Sequence, residues 1–155
     1  MSAGAERRTR ERSRREPRHR AREAALQMLY QWEVGRLPIE DVVSSYWTPG
    51  LAGDEPVSGE HRAFATALAA GVAADVDRID PLIARAAEHW RLERMAVMDR
   101  LILRLAVHEF LQHPDTPSRV VINEALELAR TFSSDDAVRF VNGILDAIRR
   151  TLERE

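Results

Sequence analysis

Apolar residues recur along this chain at three- and four-residue spacing, the period that lines one face of an α-helix. Ala21, Ala24, Ala25, Met28, Leu29 and Trp32 follow it. They predict an amphipathic helix over about residues 18–34, opened by Pro17 in its first turn and closed by Gly35. A short helix from about Ile39 to Trp47 comes next. Thr48-Pro49-Gly50 through Gly59 holds two prolines and three glycines and reads as a loop. Helices are then expected from Ala63 to Val76, with Phe64, Leu68, Val72 and Val76 four apart, and from Asp80-Pro81 to about Trp90. Asp80 there reads as an N-cap and Pro81 as a first-turn proline. Leu92–Leu111 carries 13 apolar residues among 20, and its polar positions Arg100, Arg104, His108 and Gln112 fall on one i+4 stripe. That pattern predicts a central helix, buried around most of its circumference and ended by His113-Pro114. Thr116-Pro117 starts the next helix, with Val121, Ala125, Leu128 and Phe132 inward. Ser134 is placed to cap the last helix, with Asp135 and Asp136 at its positive end. Val138, Val141, Leu145, Ile148 and Leu152 form its packing seam. Gly143 inside that helix costs about 1 kcal/mol relative to alanine, and is read as the close approach of another backbone. No stretch alternates in the manner of a strand, and no internal repeat is present. The prediction is an all-α fold of about seven helices.

Composition narrows the chemistry. A chain of 155 residues, 45% hydrophobic and 31% charged, fits one globular domain. It contains no cysteine, which excludes disulfides, cysteine zinc sites and ordinary iron–sulfur clusters. All 23 basic residues are arginine, so Schiff-base chemistry and a P-loop are excluded with lysine. No apolar run approaches the roughly 20 residues of a membrane span. The net charge of −2 conceals a division. Residues 1–22 hold nine arginines against three glutamates, net +6, and the remainder holds 14 arginines against 22 acids, net −8. A basic arm on an acidic body points to a polyanionic partner. Residues 1–16 contain no large apolar side chain beyond Met1 and are expected to be a disordered arginine-rich arm, with 17–155 one all-helical domain. Glu6, Glu11 and Glu16 and the absence of an apolar signal core argue against a targeting peptide, and the chain is read as cytoplasmic.

Few residues suggest catalysis. His108 and His113 are five apart, which rotates the second imidazole off the face that a helical metal pair needs. Asp135 and Asp136 suit a helix start without any acid–base role. No nucleophile elbow or glycine-rich phosphate loop is present. Neither an enzyme nor a bound metal or cofactor is expected. The arginine arm admits two readings, a solvated tail or a nucleic-acid contact whose affinity falls with salt. Phe140, beside Arg139 and off the seam, also admits two: core packing against the preceding helix, or a stacking platform.

Four blocks in order resemble the NusB family: Arg18 through Trp32, Asp99 through Ala106, Val121 through Ala129, and Phe140 through Asp146. The resemblance covers roughly residues 18–150. It implies a fold of two packed helical-bundle halves and a non-enzymatic role in transcription antitermination. It implies binding to boxA, a short single-stranded element of ribosomal RNA operon transcripts. The implied partners are NusE, a small-subunit ribosomal protein, with NusA, NusG and RNA polymerase in a larger complex. RNA contacts are implied for Arg18, His19, Arg20, Arg22 and Gln27 near the start, and for Asp136, Arg139 and Phe140 near the end. Tyr30 and Asp99 match partner-binding positions. A homodimer is compatible with the family. Two rival readings are a protein–protein adaptor with an incidental basic arm, and a NusB-like domain related to ribosomal RNA methyltransferases. The second fits poorly in a chain without cysteine.

Overall fold

The computed structural model describes residues 3–48, 58–88 and 90–154, with side chains described from Pro17 onward. Most of the expected loop after Thr48 lies outside the described residues. Among the described residues the fold is all-α: α1 (Ala3–Gly35), α2 (Ile39–Tyr46), α3 (Gly59–Ala87), a 3-10 turn (Leu92–Arg94), α4 (Val97–Gln112), α5 (Ser118–Phe132) and α6 (Asp135–Thr151). Helices α1, α2 and α3 pack as one half and α4, α5 and α6 as the other, and α3 and α4 join the halves.

The expected count of seven helices becomes six, because α3 runs unbroken through Pro81. Asp80 is not a cap. Its two carboxylate oxygens instead accept from Nε and Nη2 of Arg104, each at 2.8 Å. Ile79 and Ile83, on either side of the proline, are fully buried. Proline in a helix interior loses one hydrogen bond and crowds the preceding turn; here the anchoring of both flanks outweighs that cost. The same correction applies at Pro17. It opens no helix but lies inside α1, which extends back to Ala3. The segment expected to be disordered therefore has helical backbone from Ala3 onward. Its sequence offers the reason: arginine, glutamate and alanine are strong helix formers, and Glu6, Glu11 and Glu16 each precede an arginine by four residues.

The far end of α1 also differs in detail. Gly35 is still helical, and Arg36 adopts the left-handed conformation (φ 53°) that ends the helix. The long helix expected from Leu92 begins instead at Val97, after a short 3-10 turn and an extended Met95.

Helix α4 is the axis of the core. Leu101 through Phe110 are all buried, including Arg104, His108 and Glu109. The polar stripe turns inward at Arg104 and His108 and reaches the surface at Gln112, and each member meets a polar side chain or small residue of α1 or α3. Arg100 and Arg104 reach Glu33 at 2.8 and 3.3 Å, and Gln112 reaches Asp75 at 3.5 Å. His108 fills the space beside Gly71, where a Cβ would lie 2.6 Å from its Nε2. Gly71 is thus the glycine that close approach demands. Gly143 is not: among the described residues a Cβ there meets nothing within 4 Å, and none of their backbone makes the expected approach. Ser134 caps α6 as expected, accepting from the Ala137 amide at 3.1 Å. At the other end, Arg154 donates to the carbonyls of His113, Pro114 and Thr116 and covers the Phe110 ring, fastening the α4–α5 turn.

Candidate nucleic-acid interface

Of the five RNA-contact candidates in α1, Arg18 and Gln27 are exposed, His19 and Arg20 are partly buried, and Arg22 is buried. Arg18 is exposed, its guanidinium 5.1 Å from the centre of the Phe64 ring on α3. Arg20 is partly buried. Arg22 faces inward. It is 2% exposed and donates to both oxygens of Glu109, at 2.9 and 2.7 Å. Burial opposes its charge, but the paired hydrogen bonds and the fields of Glu109 and Glu124 outweigh burial and hold it protonated. An RNA contact from Arg22 is therefore a reading the structure corrects: the side chain is committed to fastening α1 onto α4. Helical geometry explains the correction. Arg22 shares a helix face with Arg18 but lies one turn further into the body, where Glu109 of α4 covers it.

His19 lies between two carboxylates, with Nδ1 2.7 Å from Glu124 and Nε2 2.9 Å from Glu23. The hydrogen bond to Glu124 raises its pKa against partial burial, and Glu23 adds to the rise. Nδ1 thus serves the α1–α5 contact, and Nε2 pairs within α1. Gln27 is exposed, and its side-chain oxygen accepts from the Tyr46 hydroxyl on α2.

The second group lies at the start of α6. Asp136 and Arg139 are exposed, and Phe140 is half-buried. One i+3/i+4 strip joins these three positions, and Gly143 continues it. Phe140 satisfies part of each earlier reading: it packs against the core, and its ring also stands edge-on to Trp90, centroids 6.0 Å apart. Trp90 was missed by sequence reasoning, which placed it at the end of a helix. It continues the apolar spacing of Ile79, Ile83 and Ala87, which reads as core packing and hides its exposure.

Tyr30 is 42% exposed, and Val34 and Leu37 continue an apolar strip from it. Asp99 accepts a hydrogen bond from Ser133 at 2.6 Å, just ahead of α6. Arg100, its neighbour, is paired with Glu33, three residues beyond Tyr30. Tyr30 and Asp99 thus belong to the same end of the molecule as the α6 group. The α1 group does not. Arg22 docks at Glu109 and Asp99 at the opposite end of α4, ten residues away, a rise of about 15 Å. The structure brings the candidate contacts together as two patches rather than one.

The NusB family model matches residues 19–150. The "Transcription antitermination protein NusB" of Solibacter usitatus (strain Ellin6076) is 45% identical over 135 residues, covering 87% of this chain and 90% of that protein. The solved structure of NusB from T. maritima superposes with a TM-score of 0.76 at 35% identity, over 86% of this chain and 90% of that one. A crystal structure of antitermination factors NusB and NusE in complex with double-stranded RNA has the same fold. Its TM-score is 0.71 at 23% identity, over 88% of this chain and 98% of that one. With the fold, the order of its blocks and nearly the full length of these relatives in agreement, the chain belongs to the NusB family.

Proposed function

We propose that this protein is a transcription antitermination factor that binds boxA RNA of ribosomal RNA operon transcripts together with NusE, in the cytoplasm. The observation that carries this reading is 45% identity to a transcription antitermination protein across 90% of that protein's length. The two surface patches supply a physical means. Arg18 and Arg20 lie where the basic start of the chain meets the body, and each arginine–phosphate contact releases counterions and adds about 0.7 to the salt slope for a single strand. Arg139 adds a phosphate contact at the second patch. Phe140 offers a ring to an unstacked base, and the Asp136 carboxylate accepts from a base amino group. The chemistry is recognition rather than catalysis. Tyr30 and Asp99 lie near one another and form the proposed face for NusE, with Val34 and Leu37 extending it. NusA, NusG and RNA polymerase join through the assembled complex. A homodimer would compete for the same exposed apolar strip.

The test is fluorescence anisotropy with labelled boxA RNA and a scrambled RNA of equal length, each with and without NusE, at two salt concentrations. The proposed function predicts preference for boxA and tightening by NusE. Equal, salt-sensitive binding to both RNAs, unchanged by NusE, would favour the adaptor with an incidental basic arm.

A further inference from the structure

Among the described residues two large aromatic side chains, Tyr30 and Trp90, are left unused by the core. Trp90 is 60% exposed, more than Tyr30, Val34, Leu37 or Val120. Its indole is nonetheless positioned, meeting the Phe140 ring at 6.0 Å with the planes at 75°. The turn that presents it is strained: Glu88, the residue after α3, has φ 39° and ψ −59°. Residues with side chains seldom adopt a positive φ, and such strain collects at functional positions. The Trp90 amide ties the turn back to the Ala87 carbonyl at 3.0 Å.

The α6 side of this corner holds a second unexplained feature. Gly143 follows Phe140 by three residues and Arg139 by four, so it lies on their strip of the helix. Glycine destabilises a helix interior relative to alanine, and here no described neighbour requires it, since among the described residues a Cβ would meet nothing within 4 Å. A bare strip of backbone beside two rings is suited to the close approach of a ligand. The charges around it are mixed. Arg91, Arg94 and Arg139 are exposed, and so are Glu93 and Asp136. Among the described residues no ion pair or side-chain hydrogen bond holds these three guanidinium groups. They suit phosphates, while a carboxylate suits base amino groups. A duplex hides its base faces, so rings placed in this way serve an unpaired base.

We infer that Trp90 and Phe140 form a two-ring seat for one unpaired RNA base, with Gly143 the open floor against which its sugar lies. This rests on the RNA-binding reading above and assigns a second ring and a floor to it. A base stacked on one ring meets the edge of the other, so the seat orients the base as well as attracting it.

The full-length protein is tested with labelled boxA RNA and the scrambled RNA, using Trp90→Ala, Trp90→Phe and Gly143→Ala. The seat predicts that Trp90→Ala weakens boxA binding about tenfold and that Trp90→Phe restores most of it. It also predicts that Gly143→Ala raises the urea midpoint while weakening RNA binding, a split that a structural role would not produce. Bound RNA should also shield the wild-type protein from acrylamide quenching, and Trp90→Phe should lose that shielding. Wild-type preference for boxA with both alanine variants binding normally would overturn the seat and leave the RNA reading intact. Normal RNA binding by Trp90→Ala with loss of NusE binding would overturn it in favour of a protein interface. Absence of any boxA preference in the wild type would remove the RNA reading and the seat together.

Discussion

Arg22 and Glu109 form a bidentate ion pair whose side chains are each 3% exposed. Removing one member of such a pair strands a buried charge and costs about 3–5 kcal/mol. Arg22→Ala is expected to lose stability in that range, read by urea denaturation. Arg22→Met combined with Glu109→Leu should recover most of the loss. If Arg22→Ala folds at full stability but loses RNA affinity, its role is at the surface after all. Two histidines shift in opposite directions from their ordinary value of 6.5. His19 is raised, chiefly by its hydrogen bond to Glu124, with Glu23 assisting. Its contribution to stability is complete below 6.5 and is lost as pH rises through its folded value. His108 is lowered by burial and then by nearby His113, against the pull of Asp75 and Glu109. Its neutral form suits the core, so its contribution is complete above 6.5 and is lost as pH falls through its folded value. An NMR titration should show His19 titrating above 6.5 and His108 below it. Coincident midpoints would refute both placements.

At the scale of elements, apolar periodicity located helices well and their ends poorly. The positions inward on α5 and the cap of α6 were legible because they depend on near neighbours. Pro81 was misread because a local rule, proline in the first turn, competed with a distant partner, Arg104, that pattern alone does not show. Gly143 was misread in the same way, since a glycine required by packing and one left bare at a surface look alike in sequence. Arg22 failed as a site residue because the partner that buries it, Glu109, lies 87 residues away, while Arg18 on the same face one turn earlier stays exposed. Asp136, Arg139 and Phe140 were placed by block resemblance, and helical spacing puts them on one strip. If α3 is one helix, Pro81→Ala should restore a backbone hydrogen bond and stabilise the fold by up to about 3 kcal/mol. Two separate helices meeting at Asp80 would instead leave the urea midpoint unchanged or lower it.

At the scale of the molecule, the two patches divide the work. Charge is concentrated at the start of the chain, where residues 1–22 carry net +6, and aromatic surface is concentrated beside α6. Phosphate contacts carry no sequence information, whereas base contacts do. Removing residues 1–16 should therefore lower affinity for boxA and scrambled RNA alike and flatten the salt slope, with the ratio of the two affinities preserved. A change in that ratio would assign base reading to the arm. The central claim is that selectivity resides at the start of α6 while the α1 arginines supply unselective affinity. The most direct test measures the boxA-to-scrambled affinity ratio at one salt concentration for Phe140→Ala and for the double variant Arg18→Ala, Arg20→Ala. Phe140→Ala should reduce the ratio about tenfold, while the arginine variant should weaken both RNAs equally and leave the ratio unchanged. A ratio untouched by Phe140→Ala and collapsed by the arginine variant would contradict it.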